Sequence, residues 1–365
     1  MVVKPKERLR PGSVVDVVDR EGQWAGRGFY NGHSRIALRI LTTNQDQAID
    51  EHFFRERFTE AIALRRDVLQ LDSVTDSYRV VHSEGDRLSG LIVDRFGSML
   101  VLEFFSAGAH LFRETIRDVL LSQFPNSEVY WFAERHVQKQ ESFDCHAMDL
   151  PEPSTITEHD VRFQVRPGDK HKTGFFLDQR DNRLRLSQLT HGKSVLDLCC
   201  NSGGFAVYAK VKGNAEEVIG LDLDEQALER AKQNANLNQV RIRWVQADLF
   251  PWLRDAIEHG KTFDVVVLDP SKQTRNREEV DKALRRYVDM NRLALQVLSP
   301  GGIFLTCSCT GLVREEDFIH AIKRAAWQAG RTVRVLSVTG AAPDHPFQVH
   351  VPESRYLKAV LCQVH

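Results

Sequence analysis

The chain has 365 residues, 42% of them hydrophobic and 27% charged, the balance of a globular protein long enough for two or three domains. No apolar run reaches the ~18 residues of a membrane helix, and the opening residues contain no stretch of signal-peptide length, which predicts a cytoplasmic protein without a membrane partner. A net charge of −1 shows no basic excess of the kind that marks many nucleic-acid binders, although a local patch is enough to bind one. Cys145, Cys199, Cys200, Cys307, Cys309 and Cys362 lack the spacing of a disulfide framework or a zinc site, so no metal is expected.

In chain order, residues 1–66 read as a small β-rich unit. Residues 13–18 (SVVDVV) are a β-branched run, 23–30 follow a turn, and 35–41 (RIALRIL) alternate polar and apolar. A helix is expected over 47–70. Residues 67–169 read as α+β, with strands at 78–82, 90–93, 98–105 and 129–132, a helix over 109–123, and a polar proline-containing stretch at 151–157. From about residue 190 strands alternate with helices. Strands fall at 195–199, 218–222, 241–246, 265–269 and 303–306, and helices at 204–212, 225–236, 278–298 and 315–329. That alternation predicts an α/β fold, a parallel sheet covered by helices on both faces. Residues 332–338 and 355–364 are strands with no helix between them, so an antiparallel pair is expected to close one edge.

The most informative segment is Val195-Leu196-Asp197-Leu198-Cys199-Cys200-Asn201-Ser202-Gly203-Gly204-Phe205. A strand runs into a glycine-bearing turn and a helix starts, the place where doubly wound sheets bind ligands. Gly203 and Gly204 would let a ligand approach the backbone. The next strand ends at Asp222, where a carboxylate can take two ribose hydroxyls, and Asp248 follows the third strand, where it can bond an adenine amino group. A nicotinamide dinucleotide would call for GxGxxG, which this turn lacks; a nucleoside with an amino-acid tail suits it better.

These features resemble the class I S-adenosylmethionine methyltransferases. More narrowly, the chain resembles the bacterial family that methylates carbon 5 of a cytosine in 23S ribosomal RNA, built from a PUA domain, an α+β middle domain and a Rossmann-like methyltransferase domain. The resemblance rests on Lys172-Thr173-Gly174-Phe175-Phe176-Leu177-Asp178-Gln179-Arg180, Gly90-Leu91-Ile92-Val93-Asp94-Arg95, Asp344-His345-Pro346 and Tyr356-Leu357-Lys358. It implies domains at 1–66, 67–169 and 170–365, the first beginning after the family's first strand. It implies S-adenosylmethionine as cofactor. The cofactor would be held by Asp197, Cys199, Asn201, Gly203, Gly204, Phe205, Asp222, Leu223, Asp248, Leu249 and Asp269, walled by Thr173, Phe175, Gln179 and Arg180.

The fourth strand ends Leu268-Asp269-Pro270-Ser271-Lys272. Proline fixes φ there and presents carbonyls toward a planar base. The family's second proline is replaced by Ser271, and no aromatic follows, which argues against an adenine-N6 enzyme. The fifth strand ends Thr306-Cys307-Ser308-Cys309. Carbon 5 of a pyrimidine is a poor nucleophile until a thiolate adds at carbon 6, and cysteine suits that task. Cys309 matches the family's nucleophile, with Cys307 expected to be buried in the strand. Asp269 would hold the cytosine edge and protonate N3, which calls for a raised pKa. The base that removes the C5 proton is not identified.

Ribosomal RNA is the implied partner, and a homodimer is an open option. Arg27 and Arg35 of the first unit, with Arg20, Arg39, Trp24 and Tyr30, are candidate contacts, since arginines grip phosphates and exposed aromatics stack bases. Lys272 and Arg275 open a second basic stretch over 272–292. Three other readings remain: an RNA base-nitrogen methyltransferase, a non-catalytic RNA-binding protein with a decayed methyltransferase fold, and a small-molecule methyltransferase.

Overall fold

The computed structural model describes Pro5 and residues 7–146, 148–149, 151–167 and 173–365; Lys172 of the motif quoted above lies outside them. The chain divides into two compact units, Met1–Ile156 with Val165–Leu177 and Pro343–Pro352, and Thr157–Gln164 with Asp178–Ala342 and Glu353–His365.

In the first unit, β1 (Ser13–Val18), β2 (Trp24–Tyr30) and β3 (Leu38–Thr42) form an antiparallel sheet. Gly28 faces the β3 backbone so closely that a Cβ would lie 1.9 Å from the Arg39 carbonyl oxygen. Helix α1 (Glu51–Ala63) is capped by Asp50, whose carboxylate accepts from Phe53 N at 3.0 Å. It therefore starts four residues later than the expected bound, and a π-helical turn, Leu64–Val68, continues it. Strands β4 (Ser77–His82), β5 (Leu91–Phe96) and β6 (Met99–Phe104) are antiparallel. The single helix expected over 109–123 is two, α2 (Ala107–Leu111) and α3 (Arg113–Gln123). They part at Phe112, whose ring packs 5.8 Å from Phe29 and 5.2 Å from Phe54. Strand β7 (Glu128–Phe132) adds in parallel to β6, and α4 (Arg135–Glu141) follows, a helix the sequence reading did not assign. One hydrophobic cluster joins Phe29, Leu41, Phe53 and Phe58 to Tyr78, Leu100 and Ile116, so the N-terminal strands share a core with the second sheet.

The polar proline-containing stretch at 151–157 contributes most of strand β8 (Ser154–Glu158), which pairs with β9 (Val161–Val165); Ile156 is buried.

The second unit contains α5 (Arg180–Ser187), β10 (Ser194–Leu198), α6 (Gly204–Val211), β11 (Glu217–Asp222), α7 (Glu225–Leu237), β12 (Arg243–Gln246), α8 (Leu249–Glu258), β13 (Phe263–Leu268), α9 (Val280–Gln296), β14 (Leu298–Ser308), α10 (Glu315–Ala329), β15 (Val333–Thr339) and β16 (Lys358–Val364). Sheet order is β12-β11-β10-β13-β14-β16-β15, with β10–β14 parallel and β16 antiparallel to both neighbours. The expected antiparallel closure is present, with β16 inserted between β14 and β15. Helix α8 was not expected because Pro251 interrupts the pattern. Proline is tolerated in a first turn, whose N–H groups have no intrahelical acceptor, and Asp248 caps that turn by accepting from Phe250 N at 2.8 Å. Buried clusters line the sheet; one includes Leu196, Val266, Leu293 and Phe318, the other Val195, Val265, Phe205 and Ala209. Among the described residues no helix is long and apolar enough to cross a membrane, and no three potential metal ligands cluster.

Candidate active site

The parallel strands deliver their C-terminal residues to one edge of the sheet. The turn after β10 is tight: Cys199 (φ +61°), Asn201 (φ +48°) and Gly203 (φ +78°) are all left-handed. Such conformations are costly for non-glycine residues and concentrate at functional sites. Asp222, at the end of β11, pins the turn: its carboxylate accepts from Asn201 N at 2.8 Å and from Asp224 N at 2.9 Å. Leu223 beside it is 67% exposed. Asp248 is exposed at the end of β12's connection, with Leu249 partly buried behind it.

The glycines also serve the packing of the protein itself. A Cβ on Gly203 would lie 2.6 Å from the Trp244 ring and 3.2 Å from Ala231, and one on Gly204 would lie 3.2 Å from the Arg183 side chain. Their missing side chains thus make room for protein packing, and Gly203 also supplies the positive φ.

Asp197 is buried within the sheet. One carboxylate oxygen accepts from Ala206 N at 3.0 Å, in the first turn of α6. The other has no hydrogen-bond partner among the described residues. Burial pushes this carboxyl well above the usual carboxylate range, against the pull of the Ala206 amide, and the charges of Asp269 and Asp222 add to it. Three neighbouring carboxylates, one with an unpartnered buried oxygen, form a basin that favours a cationic ligand. Burial, together with these acids, also holds the Cys199 thiol protonated.

Asp269 follows β13 and accepts from Gln179 Nε2 at 2.9 Å. Gln179 is fixed in turn, since Asn182 Nδ2 donates to its Oε1 at 2.7 Å and Thr339 Oγ1 donates to Asn182 Oδ1 at 2.7 Å. Arg180, at the start of α5, is buried and directs Nε to Asp181 at 3.1 Å. Phe205 is buried in the core on α6. Thr173 and Phe175 belong to the other unit. Thr173 is fully buried and donates its hydroxyl to Asp94, which also holds Arg79 through two bonds of 2.8 and 2.7 Å; Phe175 is buried.

Cys309 lies one residue beyond β14, half-buried, its thiol 3.8 Å from the Pro270 carbonyl oxygen. Cys307 is within the strand and fully buried, and burial first, then Asp269, raises its thiol well above the ordinary value. The turn past Cys309 is built on Thr310, whose hydroxyl accepts from Gln273 N at 3.0 Å and shares a 2.9 Å hydrogen bond with Tyr287. Lys358, which the sequence offers only as part of a family-like segment with no role, donates from Nζ to the Thr310 carbonyl at 2.8 Å.

Two proposed RNA contacts are spoken for, and one aromatic is hidden. Arg27 is bound to Asp16 at 2.7 Å and to the Gln47 carbonyl at 2.6 Å. Arg39 reaches Glu84, Ser89, Glu141 and the Phe105 carbonyl. Tyr30 is 6% exposed and so does not offer a ring face to an unpaired base. Arg35, Lys272 and Arg275 are exposed and pair with no carboxylate among the described residues.

A family model for S-adenosylmethionine-dependent methyltransferases matches residues 131–347, and one for PUA-like domains matches residues 1–43. The chain is similar to proteins named ribosomal RNA large subunit methyltransferase I. It is 37% identical to that of Pseudoalteromonas atlantica over 98% of this chain and 92% of the other, and 38% identical to that of Vibrio cholerae over 97% and 91%. Among solved structures, a candidate methyltransferase complexed with S-adenosylhomocysteine superposes with a TM-score of 0.85 at 22% identity, covering 98% of this chain and 93% of the other. A candidate S-adenosylmethionine-dependent methyltransferase from Streptococcus mutans gives a TM-score of 0.82 at 20% identity, with the same shares covered. These two likenesses bear on the fold.

Proposed function

We propose, for a chain that belongs to the S-adenosylmethionine-dependent methyltransferase family with the ribosomal RNA large subunit methyltransferases I, that it methylates carbon 5 of a cytosine in large-subunit ribosomal RNA. The observation that carries the carbon-5 reading is the placement of Cys309, half-buried, at the end of β14 with its thiol against the Pro270 carbonyl, one residue from Asp269.

The residues fit the cofactor. S-adenosylmethionine is cationic at its sulfonium and its ammonium, and it supplies an electrophilic methyl group. The Asp197, Asp222 and Asp269 carboxylates make a cation-accepting basin, and the unpartnered Asp197 oxygen can take a donor. Asp222 and Asp248 remain the candidates for ribose and adenine, with Leu223 and Leu249 beside them, Cys199 and Asn201 in the left-handed turn, Gly203, Gly204 and Phe205 at the start of α6, and Gln179 and Arg180 behind Asp269. Thr173 and Phe175 stay candidate wall residues by family resemblance.

For the base, Cys309 Sγ adds to cytosine C6 while Asp269 gives a proton to N3. The C5–C6 π pair then becomes enamine density, which would form the C5–CH3 bond as the methyl–sulfur bond breaks, its electron pair staying with the thioether that the cofactor leaves behind. Afterwards a base removes the C5 proton, the Sγ–C6 bond breaks, N3 returns its proton, and the thiolate is regenerated. Lys272 and Arg275, exposed just past Asp269, are candidates to hold RNA phosphates, with Arg35 a candidate in the first unit.

RNA carrying 5-fluorocytosine cannot lose its C5 substituent as a proton. The wild-type protein with S-adenosylmethionine should therefore give a protein–RNA species that survives denaturing gels, and Cys309→Ala should give none while still binding cofactor. Methylation without any adduct would move the chemistry to a base nitrogen. Failure of the folded protein to bind cofactor would favour a non-catalytic RNA-binding role.

A further inference from the structure

Lys358 opens β16 in register with Ser308 of β14, and the residue is only 3% exposed. Its Nζ donates to the carbonyls of Thr310 and Tyr356, both at 2.8 Å, and no carboxylate lies within ion-pair reach of it among the described residues. Burying an ammonium with carbonyl dipoles for company is costly, so lysine is rarely found in such a place without a role. A longer-lived reason lies one residue away. Cys309 follows Ser308, and the neighbouring strand β13 ends just before the Asp269 carboxylate. Negative charges disfavour a thiolate, and a fixed cation opposes them.

We propose that Lys358 is a positioning residue that holds the Cys309–Thr310 turn and electrostatically supports the Cys309 thiolate. The idea rests on the reading of Cys309 as nucleophile. No bond to lysine forms: the thiol proton leaves to solvent, the electron pair stays on sulfur, and Lys358 keeps its proton below about pH 8. Other groups face the pair from each packed element. Tyr287 of α9 hydrogen-bonds to Ser308 and Thr310, and Asp269 follows β13. Cys307 lies on β14, Lys272 on the loop after Asp269, and Arg355 and Glu315 are paired with each other at 2.5 Å. Burial lowers the Lys358 ammonium to about 8, with the charge of Cys309 pulling it back up, which is the reciprocal of the support proposed here.

The test is the pH profile of Cys309 alkylation by iodoacetamide, read by peptide mass spectrometry on the full-length protein. In the wild type Cys309 should titrate below the ordinary thiol value of about 8.5. Lys358→Met should shift that profile up by about one unit and slow alkylation at pH 7 roughly tenfold, and Lys358→Arg should restore most of the rate. A wild-type Cys309 that titrates at or above the ordinary value overturns the proposal without any variant, as does an unchanged profile in folded Lys358→Met. Because alkylation does not require methyl transfer, a shifted profile in a protein that forms no 5-fluorocytosine adduct would sink the nucleophile reading and leave the electrostatic pairing standing.

Discussion

Gln179 and Asp269, 90 positions apart, are joined by a 2.9 Å hydrogen bond from the amide Nε2 to the carboxylate. The amide has only one useful orientation, because Asn182 donates to its oxygen and is itself fixed by Thr339. Asp269 is thereby aimed by a relay that starts at the end of β15. A hydrogen bond to a charged group is worth about 1.5–3 kcal/mol. Gln179→Leu should therefore lower single-turnover methylation at saturating cofactor roughly ten- to hundredfold, a larger effect than on cofactor affinity, which Gln179 influences through Asp269. A variant with the wild-type rate would remove Gln179 from the machinery.

Asp222 should show the opposite division. It fixes the turn after β10 through Asn201 N and is the candidate partner of a ribose. A ligand hydroxyl left unpaired in a closed site costs about 1–3 kcal/mol, so Asp222→Ala should weaken cofactor binding about five- to hundredfold. Calorimetry on the folded variant measures this, and an unchanged affinity would move the ribose site elsewhere.

RNA contacts should be read from salt dependence by point substitution. Removing residues 1–66 would strip Phe29, Phe53 and Phe58 from a core shared with Tyr78 and Leu100, and the truncated protein would report misfolding. Lys272→Ala with Arg275→Ala should reduce the slope of log K against log salt by about 1.4 for two lost single-strand phosphate contacts. Arg27→Ala should change it less, since Asp16 already neutralises that guanidinium at 2.7 Å. Equal slopes in the double variant and the wild type would place the phosphate contacts on other residues.

His110 gives the first unit a pH limit. It packs 5.4 Å from Phe104 and 4.8 Å from Phe143. Burial first, then Arg113 and His146, lowers it to about 4. The unfolded chain takes up this proton near pH 6.5 and the folded one near 4, so the unfolded state binds more protons in between. Stability from neutral His110 is fully present above about pH 6.5 and is lost as pH falls from there through 4. Thermal unfolding of His110→Phe should be less sensitive to pH over that window than the wild type. Parallel curves would assign the acid sensitivity to other groups.

The local sequence by itself determined much of the second unit. Apolar runs of strand length, alternating with helical periodicity, fix a parallel sheet whose strands all end on one edge, and this alone puts Asp197, Asp222 and Asp269 together. It also determined that Cys307 lies within a strand and Cys309 just past one, because the apolar run stops between them. Tertiary structure decided the rest. Lys358 meets the turn after Cys309 across 48 positions only because β16 inserts antiparallel between β14 and β15, a register set by burial of Ala359, Val360 and Leu361. Tyr30 and Arg39 both read as surface residues from local pattern; Tyr30 is buried, and Arg39 is half-buried and held by Glu84 and Glu141, because their neighbours Phe29 and Leu41 pack in one core with the second sheet. Residues 343–352 join the first unit although both flanks belong to the second; Arg79 N donating to Asp344 at 2.9 Å and Gln348 Nε2 donating to the Gly85 carbonyl at 3.1 Å hold them there. Local pattern reports which face of an element is apolar, whereas these pairings depend on which distant surface that face is buried against.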